Sequence, residues 1–344
     1  MFTPLDPPTE TLTTGVVVVG AGAAGLATAL NLAPCQVVVL AHGPAATGWA
    51  QGGIAAATGP DDSPTLHAAD TAAAGAGLVD PLVAALVTAA GPGCIDWLQS
   101  AGVTFDPGTD GRPARGLEAA HGRARILHAG GDATGRAILA ALTARAAAAP
   151  HIRRLDNAEA TALLTDARGR IAGIIANLAG RRLMIRTPAV VLATGGIGGL
   201  YAQSTNPPGA TGRGLALAAR IGAGLRDLEF VQFHPTAMDL GGDPMPLASE
   251  AIRGAGAALI DGAGRPVMAG IPGGDLAPRD VVARQVAATI DAGDRVFLDA
   301  RAAIGPGFAA RFPTAAAACR KAGIDPASQP IPVAPAAHYH MGGI

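Results

Sequence analysis

The residues best placed to do chemistry begin with Gly20-Ala21-Gly22-Ala23-Ala24-Gly25, set between an apolar run and a helical one. Gly20 allows a tight turn, Gly22 lets backbone approach a pyrophosphate, and Gly25 lets a helix pack closely on the preceding strand. The helix N-terminus then offers unpaired N–H groups and a positive dipole end to phosphates. A dinucleotide site usually carries Asp or Glu at the end of the next strand, for the ribose hydroxyls. Here Leu40 is followed by Ala41 and His42, which argues against a plain NAD site. A second stretch, Ala46-Thr47-Gly48-Trp49-Ala50-Gln51-Gly52-Gly53-Ile54, sets glycines around Gln51. Backbone of that kind can press against a flat ligand, and an ordinary surface turn has the same spacing.

Ionisable side chains gather further on. Glu118, His121, Arg123, Arg125 and His128 fall within one short stretch, followed by Gly130-Gly131-Asp132-Ala133-Thr134-Gly135-Arg136. Asp132 is positioned to cap a helix running from about Ala133 to Ala148. Gln232-Phe233-His234-Pro235-Thr236 puts a histidine at the end of an alternating strand, and Ser249-Glu250-Ala251-Ile252-Arg253 supplies a Glu–Arg pair on a short helix. Arg279 and Asp280 open another helix, and the sequence closes on His338-Tyr339-His340-Met341-Gly342-Gly343-Ile344. Any one of these histidines or arginines, taken alone, is more often structural than catalytic. No Ser-His-Asp order, zinc spacing or Walker loop competes with them.

The elements that must carry these groups read clearly in places. Gly15-Val16-Val17-Val18-Val19 suits a parallel strand buried on both faces. A helix over Leu26–Leu32 and a strand over Gln36–Leu40 complete the unit. The run Gly15–Ala33 is apolar enough for a membrane span, but its β-branched residues, its glycines and Pro34 speak against one. Residues 63–101 read as helical, with Leu82, Leu86, Ile95 and Leu98 at three- and four-residue spacing and Pro81 where a helix could begin. Short strands follow at 161–164, 171–176, 183–186 and 189–193, with hairpin turns between them. The last is apolar throughout and ends in Thr194-Gly195-Gly196, a return to the parallel sheet. A further helix spans about Gly212–Ile221.

With 344 residues, 49% of them hydrophobic and 15% charged, the chain has material for two domains with large cores. A net charge of -1 removes any electrostatic case for nucleic acid or an anionic membrane. Lys321 is the only lysine, so arginine is the default cation and each needs its own justification. Cys35, Cys94 and Cys319 are scattered and odd in number, which fits a reducing cytosol rather than a disulfide framework. Residues 1–10 lack the basic start of a signal peptide.

Taken in order, these stretches resemble the L-aspartate oxidase family, within the superfamily of succinate dehydrogenase and fumarate reductase flavoprotein subunits. The glycine turn, Ala50–Ile54, His128–Arg136, Ala193–Gly196, Gln232–Thr236, Ser249–Gly256, Pro278–Arg284 and His338–Gly343 carry the likeness over nearly the whole chain. The resemblance implies an α/β fold: a Rossmann-like FAD-binding domain with an inserted β-meander over 1–228, an α+β capping domain over 229–338, and the start of a return at 339–344. It implies FAD held without a covalent bond, because the position of the linking histidine in membrane-bound succinate dehydrogenases is Ala46 here. FAD would be held by Gly20, Ala21, Gly22, Ala23, Ala24, Gly25, His42, Ala46, Thr47, Gly48, Trp49, Ala50, Gln51, Gly52, Gly53, Thr194, Gly195 and Arg213.

The reaction it implies is hydride transfer from the aspartate α-carbon to the flavin, giving iminoaspartate, the first step of NAD biosynthesis. His234, His338 and Ser249 would clamp the substrate carboxylates. Arg279 would take the proton-transfer role, awkward for a base with so high a pKa and easier as a donor in fumarate reduction. Glu118 matches the glutamate that receives the substrate's ammonium. L-aspartate or fumarate is the implied substrate, oxygen or fumarate the electron acceptor, and quinolinate synthase a partner taking the product, all in the cytoplasm. A soluble fumarate reductase uses much the same motifs, and outside the enzymes a non-catalytic flavin-binding fragment would retain them. Two departures stand out. Family members usually read Gly-Asp-Gly at Gly212-Arg213-Gly214, with the Asp touching FAD. The family also continues past the position of Ile344 with another FAD-binding segment, a second substrate arginine and a helical domain, which implies impaired activity for these residues alone.

Overall fold

The computed structural model describes Pro8, residues 10–118 and residues 120–344. After β1 (Glu10–Thr13), the valine run forms β2 (Val16–Val19), the glycine turn leads into α1 (Ala23–Asn31), and β3 (Val37–Ala41) returns beside β2. Two short strands, β4 (Ile54–Ala55) and β5 (Arg115–Gly116), flank the helices α2 (Pro64–Ala74) and α3 (Pro81–Ser100). Then come β6 (Ile126–Leu127), α4 (Thr134–Ala147) and β7 (Ile152–Asp156). The meander is β8 (Ala158–Thr165), β9 (Ile171–Leu178) and β10 (Arg181–Arg186), and β11 (Val190–Leu192) follows it.

The parallel sheet runs β11-β2-β3-β7, and the second sheet runs β1-β10-β9-β8. Alternation along the strands builds three layers. Val17, Val19, Val38 and Leu40 pack against Ile174, Ala176, Leu183 and Ile185 of the meander. Val18, Val37 and Val39 face the other way, onto Ala29 of α1. Fully burying such a side chain is worth roughly 1.5–3 kcal/mol, so a strand of four valines holds its place strongly. The sequence expectation of a βαβ unit and a returning apolar strand holds. The segment from Gly15 to Ala33 is strand, turn and helix, not a membrane span.

The helical stretch 63–101 divides in two. Asp80 caps α3 by accepting from Leu82 N–H at 2.9 Å and Val83 N–H at 3.3 Å, with Pro81 at the first helical position. Only half of the expected apolar stripe is inside: Ile95 and Leu98 are buried, whereas Leu82 is 81% and Leu86 72% exposed. By length and composition α3 could cross a membrane, with a mean hydropathy of 1.4 and 22% of the stretch buried. Within the fold it lies on the core cluster of α1 and α4 through Ile95 and Leu98.

Beyond β11 the chain passes through α5 (Arg213–Arg220) into β12 (Val231–Met238), α6 (Glu250–Gly254), β13 (Ala258–Asp261), α7 (Arg279–Asp291), β14 (Val296–Asp299), α8 (Phe308–Arg311), α9 (Pro313–Lys321) and β15 (Ile331–His340). These strands form an antiparallel sheet in the order β12-β15-β14-β13. Its core joins Met238, Ile252, Leu259, Val282, Leu298 and Phe308. Strand β15 carries the sheet two residues past the expected boundary at 338. The outgoing and returning strands are stitched together by Arg226 and Gly343, which exchange two backbone hydrogen bonds of 3.0 Å.

Asp132 does not cap α4. That helix starts from Ala133 without a side-chain cap. The Asp132 carboxylate instead accepts from Thr314 N–H at 3.0 Å and Ala315 N–H at 3.1 Å, the opening amides of α9. Helix α9 has Phe312 at its own cap position and Pro313 next, so it cannot satisfy those amides itself. The Asp132 carboxylate, from the loop before α4, does it instead.

Candidate active site

The nucleotide end of the site rests on close approaches that only glycine permits. A Cβ at Gly20 would strike the carbonyl of Ala193, and one at Gly25 would strike the carbonyl of Gly20. Leu26 N–H opens the ladder of α1 by donating to Gly22 C=O at 3.0 Å, so the amides just before it have no partner within the helix. Thr47 ties this turn to the second glycine stretch, its Oγ1 accepting from Ala23 N–H at 3.1 Å. Gly135 packs so tightly on Ala50 and Thr47 that a Cβ there would collide with both. Gly214 fits against Thr194, which seats the start of α5 beside Gly195 and Gly196. His42, just past β3, and Arg213, the first residue of α5, meet at one side chain. Glu159 pairs with Arg213 and lies 4.0 Å from His42 Nε2.

Next to this region lies a cavity of about 710 Å³. Ala46, Thr47, Gly48, Trp49, Ala50, Gln51, Gly52 and Gly53 form one wall. Glu118 lines it from the loop after β5, and His234, Ser249, Glu250, Arg279, His338 and Tyr339 line it from the stretch between β12 and β15. All five side chains expected to act on substrate are thus brought together, though spread over 162 positions of sequence (118 to 279) and beyond to 338. The small sheet β4-β6-β5 accounts for Glu118: Leu127 pairs with both Ile54 and Arg115, which draws that loop towards the glycine wall.

Each group is held by identifiable partners. Arg279 Nε donates to Glu250 Oε2 at 2.6 Å and its Nη1 to Gln232 Oε1 at 3.1 Å, while Tyr339 places its ring 5.5 Å from the guanidinium. Burial alone would lower the Arg279 pKa, but Glu250 more than offsets it, and the guanidinium stays charged. Behind them Arg253 is fully enclosed, its Nη2 in an ion pair 3.7 Å from Glu250 and its Nε and Nη2 without hydrogen bonds, and burial lowers its pKa. His234 Nδ1 accepts from Thr236 N–H at 3.2 Å, which assigns the ring proton to Nε2. That nitrogen is buried without a partner. His338 Nδ1 lies 2.7 Å from Thr205 Oγ1, and the two imidazoles meet edge to face at 5.0 Å. Burial, with Arg279 nearby, drives His234 well below the usual range and His338 down to about 3. Both rings are therefore neutral near pH 7 and serve as hydrogen-bonding groups rather than cations. Ser249 stands at the N-cap of α6 without making a capping bond, which leaves its hydroxyl available to the cavity.

Glu118 lies 3.6 Å from His128 Nε2. Burial raises its pKa, His128 and Arg279 oppose the rise, and Glu250 adds to it. Arg125, from the same cluster, holds the fold together. Arg125 is fully buried, bonding both oxygens of Asp62 at 2.8 Å and Asp70 at 2.6 Å, and so fastens this segment to α2. Glu250, Gln232, Thr205 and Tyr339 were not singled out as site residues from sequence. Gln232, Glu250 and Tyr339 lie inside ordered motifs, and only their contact with Arg279 separates them from their neighbours.

The residues present fit FAD. Gln51 Oε1 is buried with no partner, an acceptor suited to a ring N–H. Gly52, on the same wall, has nothing within 4 Å of where a side chain would start. Ala46 offers no nucleophile for a covalent link.

Comparison with known proteins agrees with this geometry. The model of the FAD binding domain family matches residues 15–344. The chain is 53% identical over 332 residues to the L-aspartate oxidase of Mesorhizobium japonicum, covering 95% of this chain and 64% of that protein. With the L-aspartate oxidase of Caulobacter vibrioides it shares 52% over 338 residues, 96% of this chain and 66% of that one. Thus it spans about two thirds of the length of the curated relatives it matches. Among solved structures, a quinol-fumarate reductase with menaquinol molecules superposes with a TM-score of 0.90 at 31% identity, over 98% of this chain and 63% of that one. Mycobacterium smegmatis Sdh1 in the apo form gives 0.81 at 31%, over 97% and 60%.

Proposed function

The chain belongs to the FAD binding domain family and, within it, to the L-aspartate oxidase family, and on that premise we propose that its cavity binds L-aspartate against FAD and oxidises it to iminoaspartate. The observation that carries this reading is the meeting of Glu118 with Arg279, His234, His338 and Ser249 in one cavity beside the 46–53 wall.

When bound, FAD supplies the two-electron acceptor for a hydride, and the protein supplies binding, orientation and charge. The side chains supply three kinds of contact. Arg279, permanently charged and braced by Glu250, pairs with one substrate carboxylate. His234 Nε2–H and the Ser249 hydroxyl are donors for carboxylate oxygens, and His338 completes that wall. Glu118, from the opposite body, meets the ammonium, a group that succinate and fumarate lack. With the substrate so fixed, the Cα–H bond breaks and its electron pair leaves as hydride. The nitrogen gives up a proton, and the C=N bond of iminoaspartate forms. Arg279 does not serve as the base, because Glu250 holds it protonated. In the reverse sense, fumarate reduction, the same guanidinium is the proton donor. The likeness to quinol-fumarate reductase keeps fumarate as the second reading of substrate or electron acceptor. We further propose a division into an FAD-binding body over 1–228 and a capping body over 229–338, a cytoplasmic location, oxygen as the alternative acceptor, and delivery of iminoaspartate to a quinolinate synthase.

The test is product analysis. FAD-loaded protein given L-aspartate in air should form ammonia and oxaloacetate, the hydrolysis products of iminoaspartate, with stoichiometric peroxide. Fumarate consumption by the reduced protein, with no product from L-aspartate, would instead support the fumarate reductase reading.

A further inference from the structure

The nucleotide site lacks an acid where the fold normally has one, and a carboxylate arrives there by another route. Strand β3 ends at Ala41, and the next residue is His42. Beside it in the parallel sheet, Ala41 pairs with Asp156, the last residue of β7. Asn157 then adopts a left-handed conformation, with φ of 53°, and turns the chain into β8. The second residue of β8 is Glu159, whose Oε2 lies 4.0 Å from His42 Nε2, beyond hydrogen-bond reach. Its other oxygen, Oε1, is taken by Arg213 Nη1 at the start of α5. Asp156 is a weaker candidate: its carboxylate accepts from Arg154 Nε at 2.8 Å and the side chain is 65% exposed, against 28% for Glu159.

We propose that Glu159 is the ribose-binding carboxylate of the FAD site, replacing the missing acid at the end of β3, with Arg213 as the residue that positions it. Open parallel sheets bind nucleotides outside the carboxyl ends of their strands, and the two ribose hydroxyls need an acceptor there. Glu159 stands at that edge, over the end of the strand that lacks its own acid. Arg213 holds one oxygen, which leaves the other to accept from a hydroxyl. A cation on α5 is then no obstacle to the nucleotide, because its charge is spent on Glu159. This assignment rests on the FAD reading above and concerns only the adenosine half of the cofactor.

Ligands that divide FAD into halves test it. FAD, FMN, ADP and 2′-deoxy-ADP are titrated against the cofactor-free protein by calorimetry, for the wild type, Glu159→Gln and Arg213→Gln. Glu159→Gln should weaken FAD and ADP on the order of tenfold to a hundredfold, the scale of a lost hydrogen bond to a charged group. It should leave FMN unchanged and abolish the wild-type preference for ADP over 2′-deoxy-ADP. Arg213→Gln should weaken ADP by a smaller factor while keeping that preference. An ion pair serving only the fold would not distinguish the two ADP ligands. Unchanged ADP affinity in Glu159→Gln, or equal losses for FMN and FAD, would overturn the assignment. A wild type that binds neither FAD nor ADP would overturn the cofactor reading beneath it.

Discussion

Arg279 and Glu118 line one cavity, and their chemistry separates the two candidate substrates. On the proposed reading, Arg279→Leu removes a charged partner of a substrate carboxylate. We expect flavin reduction by L-aspartate to slow on the order of a hundredfold or more while FAD remains bound. Near-normal reduction would remove Arg279 from the mechanism. Glu118→Gln leaves a buried ammonium without its counter-charge, which penalises L-aspartate alone. Aspartate affinity should fall at least about tenfold with fumarate affinity nearly unchanged, and equal losses for both would make Glu118 structural. The histidines give a pH signature. His338 has an ordinary pKa of 6.5 and is pushed down to about 3 in the fold. Between those values the unfolded chain binds the proton and the folded one does not, so stability falls as pH drops from about 6.5 towards 3. Chemical denaturation across that window should show the decline in the wild type and a shallower one in His338→Gln; parallel slopes would contradict the burial argument.

Among the elements, α9 shows why local reading fails. Asp132 one residue before a predicted helix start looks like a cap in sequence, because N-capping is a short-range rule. The structure spends that carboxylate on Thr314 and Ala315, a contact that no local pattern encodes. Asp132 is 5% exposed on the cavity wall, so this bond also joins α9 to the loop before α4 at the site. Asp132→Ala should speed hydrogen exchange at Thr314 and Ala315 on the order of tenfold, the scale of a lost cap, with β2 and β3 unaffected. Unchanged exchange at those amides would mean that the contact contributes nothing. Helix α3 is the second case. Its periodicity shows a helix, yet periodicity alone does not say that Leu82 and Leu86 stay outside while Ile95 and Leu98 go in.

Across the whole molecule, what is legible in the sequence is what short-range physics specifies. Valine runs, glycine turns and hairpin spacings give the parallel sheet and the meander, since each is decided within a few residues. Strand β7 is the exception in that sheet: three of the five residues of Ile152-Arg153-Arg154-Leu155-Asp156 are charged, and only its place at the sheet edge beside β3 makes it a strand. Arg279, His234, His338 and Ser249 lie in the ordered motifs, whereas the parts that Glu250, Gln232 and Glu159 play are defined by partners far along the chain. Sequence placed His42 and Arg213 in the cofactor site without showing that one glutamate lies between them. The central claim is that this cavity holds an amino dicarboxylate where its α-hydrogen can leave as hydride. It is tested most directly by mixing FAD-loaded protein with L-aspartate in the absence of oxygen and following the flavin's visible absorbance. Full bleaching by L-aspartate, with none by D-aspartate or succinate, is the predicted result. A spectrum that shifts on L-aspartate binding but never bleaches, while the chemically reduced protein is reoxidised by fumarate, would contradict it.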